Sequence, residues 1–180
     1  PIMVTYSMSN LIKKNGKAIR FIDLFCGIGG FRLAIEQVAA ELGTPVKCKF
    51  SSDIDEDCQK AYEANFRNKP IGDITAINAD DIPDHDILLG GFPCQPFSII
   101  GHRHGFKDTR GTLFFDIARI IEAKKPTAFL LENVKLLAGH NNGKTLKRIV
   151  QALRDLGYYV DFRVLNAPKS FDMTYRGNQT

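Results

Sequence analysis

The sequence predicts an α/β fold in which a mostly parallel β-sheet carries helices on both faces. Short apolar runs rich in β-forming residues alternate with longer segments of helical period, which is typical of βαβ units. Of the 180 residues, 44% are hydrophobic and 24% are charged, so a normal core is expected and global disorder is excluded. No run of about 18 apolar residues and no signal-peptide pattern occurs. We therefore expect a cytoplasmic protein that does not enter a membrane.

The first elements follow from composition and spacing. Residues 1–18 show no regular pattern and contain Ser, Asn, Gly and Lys, which predicts an irregular leader. Residues 19–25 form a short apolar run and are predicted as a buried strand. Apolar side chains then recur at helical spacing through 31–42, and Gly43 followed by Pro45 predicts the end of that helix.

The middle of the chain repeats this pattern once and then loses it. Residues 46–51 are predicted as the second strand, and 56–66 as a helix with one apolar face. Residues 86–89 are predicted as a third strand. The segment 90–111 contains several Gly and Pro residues and no sustained period, and a loop of that length inside a domain is usually functional or disordered.

The last predicted elements close the alternating pattern. Residues 113–123 return to helical period, and 128–131 are predicted as another strand. An amphipathic helix is predicted over 145–156. Residues 158–165 alternate as a strand at the edge of the sheet, and 168–180 are polar and show no pattern.

Charge and cysteine content limit the classes of function only weakly. The chain has 24 Lys and Arg against 20 Asp and Glu, and a net charge of +4 is slight support for a polyanionic partner. Cys26, Cys48, Cys58 and Cys94 contain no C-x-x-C pair, so neither a metal site nor a disulfide framework is predicted. A buried hydrophobic role is the ordinary expectation for such cysteines.

A glycine-rich turn joins the first strand to the first helix. It reads FCGIGG over residues 25–30, which suits a ligand that approaches a helix N-terminus closely. A nicotinamide fingerprint would need a third glycine where Arg32 stands. Asp53 ends the second strand, 23 residues after Gly30, where a carboxylate can accept both ribose hydroxyls of an adenosine-containing cofactor. A tight turn with a surface aspartate is the alternative, and Asp73 alone is equally compatible with a turn.

A second motif, GFPCQPFS at 91–98, follows the third strand directly. Cys94 stands between two prolines at the carboxyl end of that strand, so it is presented as a nucleophile must be. Nearby His102, Arg103, His104 and Lys107 could lower the pKa of its thiol. Without a base, however, such a cysteine is only a candidate.

A third motif, LLENV at 130–134, leaves another buried strand. Desolvation there could raise the pKa of Glu132 enough for the side chain to donate a proton at neutral pH. A helix-capping or salt-bridged glutamate is the alternative interpretation.

Together these motifs resemble the cytosine-5 DNA methyltransferases of bacterial restriction-modification systems. The resemblance covers about residues 20–167 and also includes GDI at 72–74 and DTRG at 108–111. It implies a Rossmann-like, S-adenosylmethionine-dependent methyltransferase fold, truncated at its C-terminal end. It also implies methyl transfer to carbon 5 of cytosine in double-stranded DNA, without a metal.

The resemblance assigns roles by position. It implies that Cys94 attacks carbon 6 of a flipped cytosine, that Glu132 binds ring nitrogen 3 and the exocyclic amine, and that Asn133 holds the strand end. The implied cofactor residues are Phe25, Gly27, Ile28, Gly29, Gly30, Asp53, Ile54, Asp73, Ile74, Pro93 and Leu113. The implied DNA contacts are Gln95, Ser98, Arg103, Lys107 and Arg110. Relatives commonly have an aromatic residue at position 54, so Ile54 implies weaker packing on the adenine.

The resemblance ends before the chain does. Family members follow the segment matching 164–167 with a Gln-x-Arg-x-Arg motif and a target-recognition domain, and neither is present here. We therefore expect a leader at 1–18, a partial catalytic domain at 19–167 and a divergent tail at 168–180. Three functions stay open: the DNA-associated catalytic part of an enzyme completed by a second polypeptide, an inactive or regulatory fragment, and an RNA cytosine methyltransferase.

Overall fold

A six-stranded sheet organises the part of the chain that the computed structural model describes, namely residues 2–5, 17–93 and 113–165. The strands are β1 (Ile2–Thr5), β2 (Ile19–Leu24), β3 (Val46–Ser52), β4 (Ile87–Gly91), β5 (Ala128–Asn133) and β6 (Asp161–Val164). They lie in the order β3-β2-β4-β5-β1-β6. β2 pairs in parallel with β3 and β4, and β4 with β5, which confirms the predicted parallel sheet.

Five helices connect these strands within the described residues. They are α1 (Gly30–Glu41), α2 (Glu56–Phe66), α3 (Leu113–Lys124), α4 (Leu136–Gly139) and α5 (Lys144–Asp155). Two 3-10 turns, Ile74–Ala76 and Ala79–Asp81, lie between α2 and β4. The four predicted helices are confirmed with boundaries shifted by at most one residue. The one-turn elements were not predicted, because a single turn is too short to show a period.

Helices pack on both faces of the sheet. Side chains alternate between the faces along each strand, so neighbouring residues of β2 contact different helices. On one face Leu24 joins a buried cluster that includes Ile117 of α3 and Ile149 of α5. On the other face the carboxylate of Asp23 accepts a hydrogen bond from the Tyr62 hydroxyl of α2, 3.4 Å away. This arrangement confirms the predicted doubly covered sheet.

The prediction of an irregular leader is wrong for residues 2–5. This segment forms β1 and lies antiparallel between β5 and β6, with Ile2 opposite Asn133 and Val164. The sequence does not indicate this strand, because only four β-forming residues precede a long polar stretch. The pairing that makes them a strand comes from residues more than a hundred positions away, which local composition does not reveal.

The last strand is an edge strand, as predicted, but it is shorter than 158–165. Among the strands that the structure describes, β6 pairs only with β1, and all four of its residues are exposed. The residues before it serve the core instead: Val160 is buried, and the Tyr158 hydroxyl donates to the Pro126 carbonyl oxygen, 2.7 Å away.

Candidate active site

A cleft of about 680 Å³ lies at the carboxyl ends of the parallel strands. Ligands of open α/β sheets bind at this edge. Its lining includes eight residues predicted from the sequence: Phe25, Asp53, Ile54, Asp73, Ile74, Pro93, Leu113 and Glu132. The sequence did not single out Ser52 or Thr75, which also line the cleft. Five further predicted residues lie outside this lining: Gly27, Ile28, Gly29, Gly30 and Asn133.

The glycine-rich turn is tied to the end of β3 by a carboxylate. The Gly27 amide donates to Asp53 Oδ2 at 2.7 Å, and the Asp55 amide donates to Asp53 Oδ1 at 3.0 Å. Gly27 has a φ of +52°, in the left-handed region. Because a carboxylate can accept about four hydrogen bonds, Asp53 keeps acceptor sites for a ligand while it holds the turn.

The end of α2 supports this turn from behind. Asn65 Nδ2 donates to the carbonyl oxygen of Ile28 at 3.3 Å. Gly29 has a φ of +95°, and a Cβ at this position would overlap the ring of Phe66. Only glycine satisfies both conditions, so Gly29 allows the turn to pack directly on α2.

The Asp73 carboxylate caps a 3-10 turn at one wall of the cleft. Its Oδ1 accepts from the Thr75 amide at 2.9 Å, so the turn-residue interpretation of Asp73 describes its local structure. Asp73 itself is exposed, while the Ile74 side chain is only 3% exposed and belongs to the core. Asp73 is not in a strand, since only Ile71 forms an isolated bridge to Ser52.

Glu132 faces the cleft from the end of β5. It is half-buried, and this burial raises the pKa of its carboxyl. Gly91 lies beside it, since a Cβ there would be in ordinary van der Waals contact with Glu132 Oε2, at 3.5 Å. No salt-bridge partner for Glu132 is found among residues 2–5, 17–93 and 113–165.

Asn133 joins the ends of β4 and β5. Its side chain is 2% exposed, its Nδ2 donates to the Phe92 carbonyl oxygen at 2.7 Å, and its Oδ1 accepts from the Val134 amide at 2.9 Å. Asn133 thus holds the chain immediately before Pro93.

Six predicted site residues lie outside the described residues. These are Cys94, Gln95, Ser98, Arg103, Lys107 and Arg110. Their assigned roles stay predictions.

A buried polar cluster behind the glycine-rich turn was missed by the sequence analysis. Asp23 is fully buried, and its Oδ1 has no hydrogen-bond partner within the described part of the chain. Burial raises the pKa of Asp23 to about 7, an effect that the Tyr62 hydroxyl and the Arg32 guanidinium oppose. Arg32 Nη1 lies 3.4 Å from that hydroxyl. A polar residue inside the apolar run of β2 was the one available signal.

We expect Asp23→Asn to stabilise the protein at alkaline pH. Because the pKa of Asp23 rises from 3.8 to about 7 on folding, wild-type stability falls as the pH rises through this interval. The neutral amide avoids that loss, so the variant should be more stable by roughly 2–4 kcal/mol at pH 8. The advantage should vanish near pH 4.

Urea unfolding at pH 4, 6 and 8 measures this difference. The exposed carboxyl variant Glu63→Gln serves as a control and should follow the wild type at every pH. A constant stability difference between Asp23→Asn and wild type across this range would contradict the assignment.

The described residues contain neither a candidate metal site nor a helix suited to span a membrane. No three His, Cys, Asp or Glu side chains come together there as metal ligands. None of the helices in these ranges combines the length and the apolar character needed to cross a bilayer.

Cys26 is buried, and this burial raises the pKa of its thiol, so it resembles a packing residue.

Sequence comparison identifies close relatives of this chain. The family model for C-5 cytosine-specific DNA methylases matches residues 19–172. The type II methyltransferase M.HhaI of Haemophilus parahaemolyticus is 51% identical over 160 residues, which are 89% of this chain and 47% of that protein. M.NgoBI of Neisseria gonorrhoeae is 57% identical over 81% of this chain and 44% of its own length. The chain therefore spans less than half the length of these relatives.

Solved structures share the fold. A putative DNA modification methyltransferase encoded within an E. coli prophage superposes with a TM-score of 0.57 at 25% identity, covering 77% of this chain and 38% of that one. The Dnmt2 methyltransferase of S. pombe gives a TM-score of 0.56 at 21% identity, covering 75% of this chain and 40% of that one. The similarity to the latter concerns the fold alone.

Proposed function

Because the chain belongs to the C-5 cytosine-specific DNA methylase family, we propose that it transfers a methyl group from S-adenosylmethionine to carbon 5 of cytosine in double-stranded DNA. One observation carries the proposal. The acceptors Asp53 and Asp73 and the half-buried Glu132 line a single cleft, and its lining includes Pro93, which directly precedes Cys94 in the sequence. Such a cleft can hold a nucleoside cofactor next to a base.

The residues of the cleft fit S-adenosylmethionine. Asp53 has acceptor sites for ribose hydroxyls, and the buried Ser52 hydroxyl, which has no partner among the described residues, is one more polar group of the lining. Ile54 is 72% exposed and offers an aliphatic surface to a purine. When bound, the cofactor supplies an electrophilic methyl group. The residues proposed to hold it are Phe25, Gly27, Ile28, Gly29, Gly30, Asp53, Ile54, Asp73, Ile74, Pro93 and Leu113.

The proposed chemistry needs a nucleophile and an acid. The Cys94 thiolate adds to carbon 6 of the flipped cytosine, which makes carbon 5 nucleophilic. Glu132 donates a hydrogen bond to ring nitrogen 3 and stabilises the charge that develops in the ring. The raised pKa of Glu132 supports this role, because it keeps the proton on the carboxyl at higher pH. Methyl transfer would leave S-adenosylhomocysteine as the second product. A base, such as a water molecule, then takes the carbon 5 proton, and the electron pair re-forms the carbon 5–carbon 6 double bond and expels the Cys94 thiolate.

Asn133 and the loop after Cys94 are proposed to position these groups. Asn133 holds the Phe92 carbonyl, and thereby the start of the Cys94 segment. We assign DNA contacts to Gln95, Ser98, Arg103, Lys107 and Arg110, since amide, hydroxyl and cationic side chains bind phosphates.

The proposed enzyme acts with a second polypeptide in the bacterial cytoplasm, in association with DNA. The bacterial origin of the relatives M.HhaI and M.NgoBI supports the proposed location. The second chain would carry the target-recognition region.

Methyl transfer from radiolabelled S-adenosylmethionine tests the proposal. The chain is assayed alone and with the C-terminal half of a relative, on duplex DNA and on transfer RNA. Labelled 5-methylcytosine in DNA supports the proposed function. Label in RNA alone would favour an RNA enzyme, and cofactor binding without any transfer would favour a regulatory fragment.

Asp53→Asn should weaken cofactor binding about 10- to 100-fold, because two charge-assisted hydrogen bonds to the ribose become neutral ones. Calorimetric titration of the chain with S-adenosylhomocysteine measures this loss. The control is Asp57→Asn, whose carboxylate is exposed and pairs with Lys60 at 2.9 Å. If both variants bind S-adenosylhomocysteine with equal affinity, Asp53 does not contribute to cofactor binding.

A further inference from the structure

The segment between α2 and β4 forms one wall of the cleft without belonging to the sheet. It contains the two 3-10 turns, and an isolated bridge from Ile71 to Ser52 is its only described strand-like pairing. Two backbone hydrogen bonds tie Ile71 to the end of β3: the Asp53 amide donates to the Ile71 carbonyl oxygen at 3.0 Å, and the Ile71 amide donates to the Ser51 carbonyl oxygen at 2.8 Å. Asp73 and Ile74 lie beyond this pairing, and α3 contacts the turn that they begin.

Arg119 of α3 makes the most direct of these contacts. Its Nη2 donates to the carbonyl oxygen of Ile74 at 2.6 Å, across 45 positions of sequence. Its Nε donates to Asp116 Oδ1 at 2.9 Å, one turn earlier on the same helix. A guanidinium is planar, so these two hydrogen bonds fix its orientation.

The contact is made to the backbone of the first 3-10 turn, at its first residue. The Ile74 side chain is held in the core, and its carbonyl is held by Arg119. Asp73 precedes it directly and caps the same turn through the Thr75 amide. A shift of the Ile74 carbonyl would therefore also move the Asp73 carboxylate.

We infer that Arg119 is a positioning residue that makes the cleft selective for a purine with an exocyclic amine. This inference rests on the proposed function, in which Asp73 and Ile74 contact the adenine. A carboxylate held at the purine edge accepts from an amine, whereas it repels an exocyclic oxygen. Loss of Arg119 releases the wall and so removes the discrimination.

A second cation on α3 provides a matched control. Lys124 Nζ donates to the carbonyl oxygen of Asp80 at 3.0 Å, in the second 3-10 turn. This contact has the same chemistry on the same helix, but residues 79–81 do not line the cleft. Lys124→Met therefore tests general support of the segment without the wall of the cleft.

Calorimetric titration of the full chain compares two ligands, S-adenosylhomocysteine and S-inosylhomocysteine, in which an oxygen replaces the adenine amine. The wild type should prefer the adenosyl ligand by at least 10-fold. Arg119→Met should lose about 10-fold in affinity for the adenosyl ligand and less than 2-fold for the inosyl ligand. Lys124→Met should keep the wild-type preference. If Arg119→Met does not fold, Asp116→Asn releases Nε and should show the same change at smaller size.

Failure of the Arg119 role and failure of the proposed function give different binding results. If the wild type binds neither ligand, the proposed cofactor is wrong and the inference falls with it. If the wild type prefers the adenosyl ligand and Arg119→Met weakens both ligands equally, Arg119 is merely structural. Arg119→Lys, which keeps one donor, should recover part of the preference if the hydrogen bond to Ile74 is the cause.

Discussion

Cys94→Ser is expected to abolish covalent trapping of the protein on DNA that contains 5-fluorocytosine, when the recognition half is supplied. The fluorine at carbon 5 cannot leave as a proton does, so the adduct formed by Cys94 persists. A serine hydroxyl is a far weaker nucleophile than a thiolate and forms no such adduct. Denaturing gel electrophoresis of the protein with labelled DNA measures the adduct.

The matched control for this experiment is another cysteine. Cys58 lies on α2 and is partly buried, and Cys58→Ser should trap DNA like the wild type. Trapping by Cys94→Ser at the wild-type level would overturn the assignment of the nucleophile. Loss of trapping in both variants would point to a general effect on folding.

Gly29→Ala is expected to destabilise the protein and to prevent cofactor binding. A side chain at a φ of +95° costs about 1–2 kcal/mol, and overlap with the Phe66 ring adds about 1–3 kcal/mol. The free energy of unfolding should therefore fall by roughly 2–5 kcal/mol. The displaced turn also moves the Gly27 amide away from Asp53. The hydrogen bond between them ties the glycine-rich turn to the end of β3, so its loss separates two parts of the proposed cofactor site.

Gly157→Ala separates the two contributions. Gly157 has a φ of +91°, but a Cβ there meets nothing within 4 Å. Its unfolding free energy in urea should fall only by the backbone share, about 1–2 kcal/mol, and cofactor affinity should not change. Combining Gly29→Ala with Phe66→Ala should recover part of the cofactor affinity, since it removes the overlap. If Gly29→Ala costs no more than Gly157→Ala, packing on Phe66 does not restrict the turn.

Local pattern was enough to locate the main elements and most of the cleft. Asp53 directly follows β3 and Glu132 lies at the end of β5, and both strands were predicted from the sequence. Parallel strands bring their carboxyl ends to one edge of the sheet, where ligands of such folds bind. The cleft lining includes both Asp53 and Glu132.

The interactions between these elements were not predictable in the same way. Tyr62 and Asp23 are 39 residues apart, and neither position alone indicates that they meet. The strand β1 was likewise missed, because its neighbours β5 and β6 are distant in sequence. The Arg119 side chain looks like an ordinary helix-surface charge until its contact with Ile74 is known.

The sequence by itself determined the alternation of strands and helices and the family, and it supplied the residues to which the chemistry of methyl transfer is proposed to belong. Period, turn residues and motif spacing are local properties, and local properties can be read directly from the order of residues. Only the tertiary structure decided that residues 2–5 join the sheet, that Phe66 makes Gly29 indispensable, and that Arg119 holds the wall beside Asp73. These depend on which distant surfaces pack together, and close packing discriminates at the scale of single atoms.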